Sequence, residues 1–176
     1  MNKPLSLLFC LMLWAGSIAA EAETTQAKLP PLNPLAAALG QLGVSTCQGR
    51  VHQVANFLSG KSDSGAVLLL PPDRNHINDH LITASMEIFD GAHTFYSSMD
   101  FSPSVAAGCD ATYETIIYWP NNCDSVAKTQ FAEAKQAGKM RKQIPYLTYG
   151  DSLQIFLMPA GSGCVSIKKQ AVWERL

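Results

Sequence analysis

The order of four cysteines constrains the fold of this chain more than any other feature of its sequence. In each of two instances a cysteine opens a helix-like stretch, a Gly-Cys pair follows further along, and a strand-like run then ends in tryptophan. The positions are Cys47, Cys109 and Trp119 in the first instance, and Cys123, Cys164 and Trp173 in the second. This recurrence predicts two related halves, each made of a helix followed by strands.

The N-terminus has the organisation of a secretory signal peptide. Lys3 supplies the positive charge, Leu5 to Trp14 form an apolar run, and small residues dominate positions 15–20. The alternative of an uncleaved anchor is disfavoured because the run is shorter than the roughly 20 residues that span a membrane. We therefore expect residues 1–20 to be removed, with cleavage after one of the alanines between Ala19 and Ala22. The mature chain would then be periplasmic or extracellular, with no membrane span.

Signal cleavage would remove Cys10 and leave four cysteines, an even number that in an exported chain predicts disulfides. Residues 111–119 read as one uninterrupted strand. At about 3.4 Å per residue this strand is roughly 30 Å long, whereas bridged Cα atoms lie within about 7 Å, so a Cys109–Cys123 bridge is excluded. Of the two remaining pairings, the repeat favours Cys47–Cys109 with Cys123–Cys164. The cysteines are thus expected to be structural.

The pattern along the chain predicts one α+β domain, an antiparallel sheet with helices packed on one face. Residues 21–46 read as a flexible lead-in and a short helix with Asn33 as its N-cap and Pro34 as its first residue, and residues 47–176 as the domain itself. The halves cover about residues 47–119 and 123–173. Two pseudo-symmetric αβββ units, with an extra strand in the first, are one arrangement that the repeat suggests.

Four local patterns give finer predictions. Apolar residues alternate with polar ones between Ile82 and Ile88, which predicts a strand with one buried face. Ser45-Thr46 offers an N-cap for the helix that follows. The apolar run at residues 66–70 is typical of a buried strand, and residues 140–149 read as a single strand.

Charge and composition bear on the class of partner. The formal net charge is −1, and charged residues make up 15% of the chain, against about 25% in typical domains. This balance gives no electrostatic reason to expect nucleic acid or an anionic membrane as the partner. A protein or an envelope ligand is the expected partner, and no cofactor is expected.

The densest group of polar residues occupies residues 71–80, where His76 and His80 stand four residues apart. On a helix both imidazoles would share a face and could hold zinc with a carboxylate. Pro71-Pro72 favours a loop instead, which removes the helical spacing, and a metal site would need further ligands from elsewhere, so no metal site is predicted. A hydrolytic site has no support either, because no motif marks a nucleophile. The weak catalytic candidates are Asp73, His76, Asp79, His80 and Glu87.

A polar strand face gives a second candidate site. Alternating polar residues follow the hairpin on either side of Asp90-Gly91, and the simplest interpretation is the solvent face of an antiparallel sheet. The alternative is a flat recognition surface. Its candidate binding residues are Tyr96, Asp100 and Tyr113, with Tyr118 as a further aromatic anchor.

These observations favour a small exported, disulfide-stabilised binding protein, for example an inhibitor, immunity or accessory protein. A small exported hydrolase or metal-dependent enzyme that uses residues 73–80 is the main alternative. A structural component of the envelope is the third.

Overall fold

The computed structural model describes residues 31–105 and 108–173. The predicted signal peptide and the first residues of the lead-in lie outside the described residues. The described chain contains α1 (Pro34–Gln41), α2 (Gln48–Ser59), α3 (Cys123–Gln130) and a short 3-10 helix (Arg74–Asp79). Its strands are β1 (Asp63–Leu69), β2 (Ile82–Phe89), β3 (Thr94–Ser104), β4 (Gly108–Trp119), β5 (Lys135–Met140), β6 (Ile144–Tyr149), β7 (Leu153–Ala160) and β8 (Gly163–Val172).

The strands form one eight-stranded sheet in the order β1-β2-β3-β4-β8-β7-β6-β5, and all neighbours are antiparallel. The N-terminal half (α2 and β1 to β4) joins the C-terminal half (α3 and β5 to β8) through the β4–β8 pair. In that pair Ile116 lies opposite Ile167, and Trp119 lies opposite Cys164. The fourth strand of each half is central, and the first strand of each half is an edge. The predicted α+β architecture is confirmed, but the C-terminal half has four strands rather than three.

Both predicted disulfides are present. Cys47 bonds to Cys109 with Cα atoms 5.1 Å apart, and Cys123 bonds to Cys164 with Cα atoms 5.0 Å apart. Each bridge ties the start of a helix to the start of the fourth strand of the same half. Paired residues of an antiparallel sheet share a face, and Cys109 and Cys164 have the same parity along the β4–β8 register, so both helices pack on one face.

The larger core lies under α1 and α2. Asn33 caps α1, because its side chain accepts a hydrogen bond from the Leu35 backbone at 2.9 Å. The predicted alternation in β2 is confirmed, since its buried residues are Ile82, Ala84, Met86 and Ile88. The core of the C-terminal half is smaller, and its buried residues are Val126, Leu147, Ile155, Leu157 and Cys164.

The predicted N-cap of α2 is wrong. The helix begins at Gln48 with Cys47 at the N-cap position, and no side chain caps it. The backbone N–H groups of Ser45 and Thr46 instead donate to the side-chain oxygen of Asn78, at 2.8 and 3.1 Å. This oxygen comes from a segment more than 30 residues away, which a local cap pattern does not reveal.

The prediction of a buried strand at residues 66–70 is also wrong. Strand β1 is an edge strand, and Val67 and Leu69 expose 74% and 73% of their surface. A short apolar run predicts a strand, but it does not show whether other elements cover that strand in the folded chain.

The predicted single strand at 140–149 is two strands, β5 and β6, which pair with each other. The chain reverses between Met140 and Ile144, and Arg141 has a φ of 53°, in the left-handed region. Glycine, asparagine or aspartate is usual at such a turn, and none is present between Met140 and Ile144.

Among residues 31–105 and 108–173, no helix has the length and apolarity that a membrane span requires.

Candidate functional site

The segment around the 3-10 helix holds four of the weak catalytic candidates at the surface. Asp73 caps the helix by accepting a hydrogen bond from the Asn75 backbone at 2.9 Å. His76 Nδ1 lies 3.3 Å from Asp79 Oδ2, and the two side chains are 64% and 71% exposed. His80 is exposed as well. Solvent screens a pair in this position, so the contact contributes little to the free energy of folding.

The same segment also anchors the chain. Ile77 is 3% exposed and belongs to the main core. Asn78 accepts the two backbone hydrogen bonds described above, and its side-chain nitrogen donates to the Gly43 carbonyl at 2.9 Å. Asn78, one of the polar residues at 71–80, therefore holds the connection between α1 and α2.

The structure does not gather the catalytic candidates into a site. Three clefts in residues 31–105 and 108–173 are well formed, and none of these three is lined by His76, His80 or Glu87. Glu87 pairs with Tyr96 across the β2–β3 hairpin, and Asp100 lies four residues beyond that point, about 13 Å along the strand. Paired carboxylates in glycoside hydrolysis stand about 5 to 9.5 Å apart. Among the described residues, no cluster of three or more His, Cys, Asp and Glu side chains could hold a metal ion.

The sheet face opposite the helices, called the open face here, carries a continuous row of apolar side chains. The row crosses five neighbouring strands, and each member lies directly opposite the next. Its members are Tyr96, Ile116, Ile167, Phe156 and Tyr146. The rings of Tyr146 and Phe156 are 6.0 Å apart between centroids, so the row ends in an aromatic pair.

A second apolar row runs beside the first. Tyr118, Val165 and Met158 are successive cross-strand partners, and Ile144 and Met140 pair with each other at the edge. Tyr118, Met140 and Met158 are 57%, 55% and 37% exposed. The two rows together leave a broad apolar surface that extends from β3 to β5. The sequence pattern indicated its tyrosines Tyr96 and Tyr118 but not its members on β5 to β8. Strands β7 and β8 carry apolar residues on both faces, which hides the alternation that marks a surface.

Many of the other side chains on the open face are polar and bond to one another, but Val67 and Leu69, opposite Ser85 and Thr83, leave exposed apolar surface at the β1 edge of the same face. Thr83 donates to Asp100 at 2.8 Å, and the hydroxyls of Ser85 and Tyr96 lie 2.8 Å apart. Beyond them, Lys169 pairs with Glu114. Tyr96 therefore stands at the boundary, with its ring in the apolar row and its hydroxyl in the polar network.

Tyr113 does not belong to this surface. It lies on the helix side of β4, is 3% exposed, and its ring centroid is 5.7 Å from that of Phe57 in α2. Its hydroxyl donates to the side-chain oxygen of Gln170, and burial raises the pKa of Tyr113 to about 12. Of the three candidate binding residues, the structure thus places Tyr96 and Asp100 on one face and Tyr113 on the other.

No protein-family model matches this chain, and comparisons with curated proteins and with solved structures find no significant match. The functional assignment therefore rests on the residues themselves.

Proposed function

We propose that this chain is an exported binding protein, without catalysis of its own, that recognises a protein partner through the open face of its sheet. An inhibitor, an immunity protein or an accessory protein would fit this description. The observation that carries the proposal is the uncovered apolar row from Tyr96 to Tyr146, on the face that lacks helices.

The size and composition of this surface fit a protein interface. The first row crosses five strands spaced about 4.8 Å apart, which makes it about 20 Å long. Contiguous apolar surface of this kind marks interaction sites, and tyrosine, phenylalanine and methionine are enriched at the centres of interfaces. The polar pairs Thr83–Asp100 and Lys169–Glu114 adjoin the row and would form a hydrated rim.

Export is supported by two independent features. Disulfides persist in oxidising compartments, and both bridges close within the described chain. The N-terminal sequence, with its short apolar run and small residues, has the pattern of a cleaved signal peptide.

The proposal is tested by quantitative capture from the exported fraction of the cells that make this protein. Mature chain is immobilised in three forms, the natural sequence, a Tyr118→Lys/Met158→Lys variant and a Leu42→Lys control. The two residues of the variant flank Val165 on the open face, whereas Leu42 is a similarly exposed apolar residue at the end of α1. Circular dichroism verifies that all three forms are folded.

We expect one partner to be enriched on the natural chain and on the control. The double variant should retain less than a tenth of it, because two ammonium groups would have to be desolvated at the contact. Equal capture by the double variant, or no protein enriched above a blank surface, would overturn the proposal.

A further inference from the structure

A cleft of about 440 Å³ lies on the helix side of the sheet, away from the open face. Its walls come from α2, from the central strands β4 and β8, and from the turn between β6 and β7. The volume falls within the range of about 300 to 1,000 Å³ that is typical of small-molecule sites. The residues on which the inference depends are Gln53, Phe57, Tyr113, Gln170 and Trp173.

Three aromatic rings line the cleft. Tyr113 is buried, whereas Phe57 and Trp173 expose 65% and 56% of their surface. Lys168 Nζ lies 5.6 Å from the centroid of the Phe57 ring, a cation–π contact that restrains this ring. A flat aromatic molecule can stack on such walls, in offset or edge-to-face geometry, and remove both exposed rings from water.

Two amide groups in the cleft have their oxygens already engaged. Arg50 Nη1 donates to Gln53 Oε1 at 2.7 Å, and because arginine only donates, the amide oxygen must face it. The Tyr113 hydroxyl donates to Gln170 Oε1. Each glutamine therefore keeps its Nε2 as a donor, and neither nitrogen has a hydrogen-bond partner within residues 31–105 and 108–173. The cleft thus offers two donors for a ligand oxygen.

The positive charge of Arg50, which lies beside Gln53, favours a ligand oxygen that carries a negative charge. Arg50 is 8% exposed, and its Nε donates to the carbonyl of Cys109 at 2.9 Å. Within the described chain it forms no ion pair with a carboxylate. A buried guanidinium that has only neutral partners favours a nearby anion. Asp151, which also lines the cleft, is exposed and therefore better screened by solvent.

We propose that this cleft is a second binding site, which takes a small aromatic carboxylate. The ring lies between Phe57 and Trp173 over Tyr113, and the carboxylate accepts hydrogen bonds from the amide nitrogens of Gln53 and Gln170. The site does not depend on the open face, so a test of one proposal can fail without contradicting the other.

Titration of the ¹⁵N-labelled mature chain with 2-naphthoate tests the site, with 2-naphthamide and 2-naphthylmethylamine as neutral and cationic comparisons. We expect shift changes at the Trp173 indole and at the side-chain amides of Gln53 and Gln170. For a probe of this size a Kd on the order of 1 mM or below is expected. The carboxylate should bind more tightly than the amide, and the amine most weakly.

Two variants assign the contacts. Gln53→Glu keeps an acceptor for Arg50 but replaces the amide donor by a carboxylate oxygen, so it should weaken 2-naphthoate binding at least tenfold. Phe57→Ala, which removes an exposed ring, should weaken all three probes. Gln154→Glu makes the same chemical change at an exposed position on β7 and should have no effect.

Several results would overturn the proposal. These are the absence of shift changes at 5 mM probe, shift changes confined to the open face, tighter binding of the amine than of the carboxylate, or unchanged affinity in folded Gln53→Glu and Phe57→Ala.

Discussion

Gly163 shows how closely the two halves approach each other at the scale of a single residue. A Cβ added at this position would lie less than 3.0 Å from the Trp119 carbonyl oxygen and from the Tyr118 ring. Real Cβ atoms do not tolerate such contacts, so the backbone of β4 or β8 would have to shift. The position therefore requires glycine for close approach between strands, not for an unusual φ.

We expect Gly163→Ala to lower the free energy of unfolding by about 1–3 kcal/mol, or more, because overpacking against backbone cannot be relieved by a rotamer change. Thermal unfolding followed by circular dichroism measures the effect. Gly65→Ala is the matched control, since Gly65 also lies in a strand but has nothing within 4 Å of the position that an alanine methyl group would take. Gly65→Ala should be neutral or slightly stabilising. Equal losses in the two variants would contradict this explanation of Gly163.

Residue roles could be predicted from sequence where local chemistry determines them. The disulfide pairing followed from strand length and repeat, and the Asn33 cap followed from its position before Pro34. The separation of Tyr96 from Tyr113 did not follow, because it depends on the β3–β4 register, in which Tyr96 pairs with Ile116. A shift of that register by one residue would have put both rings on one face.

At the scale of elements, the two halves differ in how much packing supports their helices. Helix α2 lies with α1 over the larger core, whereas α3 has only 8 residues and contributes one of the five buried side chains of its core, Val126. A helix this short is not stable by itself in water. The Cys123–Cys164 bridge therefore carries a greater share of the local stability of its half.

We expect Cys123→Ala/Cys164→Ala to open α3 at lower free energy than the rest of the molecule. By the chain-entropy model each bridge contributes about 4 kcal/mol globally, so global stability should fall by a similar amount in Cys47→Ala/Cys109→Ala. Hydrogen exchange with mass spectrometry distinguishes local opening of α3 from a loss of global stability. Loss of protection in α3 should precede loss in α2 for the first variant, and simultaneous loss would show that the bridge has no local role.

Elements with a strong one-sided pattern were predictable, and elements whose environment is set by distant neighbours were not. Strand β2 alternates cleanly, because one of its faces meets the helices and the other meets solvent. The sequence pattern wrongly predicts a buried β1 and does not reveal the β5–β6 reversal. The exposure of β1 depends on its place at the edge of the sheet, and the reversal depends on the left-handed backbone of Arg141. Neither feature changes the hydrophobic periodicity of the sequence.

At the scale of the whole molecule, the repeat builds a sheet in which each half contributes its fourth strand to the centre. The helices of both halves then cover one face, and the open face follows as a geometric consequence. The cysteine order indicated the two halves, and the pattern of helices and strands indicated the single helix-covered face. It did not indicate the apolar rows of the candidate site, since these arise only when β4, β8, β7 and β6 align their side chains.

The same arrangement leaves two sheet edges with different protection. Strand β5 carries Lys135 and Lys139 and has an irregular register between Gln136 and Gly138. Strand β1 has no lysine, proline or bulge, and its side chains at Val67 and Leu69 are largely exposed. Charges and bulges prevent strands of different molecules from pairing, so β1 is the edge at which the molecule is open to such pairing.

We expect Val67→Lys to raise the temperature at which heated samples begin to scatter light, while the free energy of unfolding changes by no more than about 0.5 kcal/mol. Leu81→Lys adds the same charge at an exposed apolar residue just before β2, outside the β1 edge, and is the matched control. It should leave the onset of aggregation near that of the natural chain. If both lysines delay aggregation equally, net charge and not the β1 edge governs self-association of this protein.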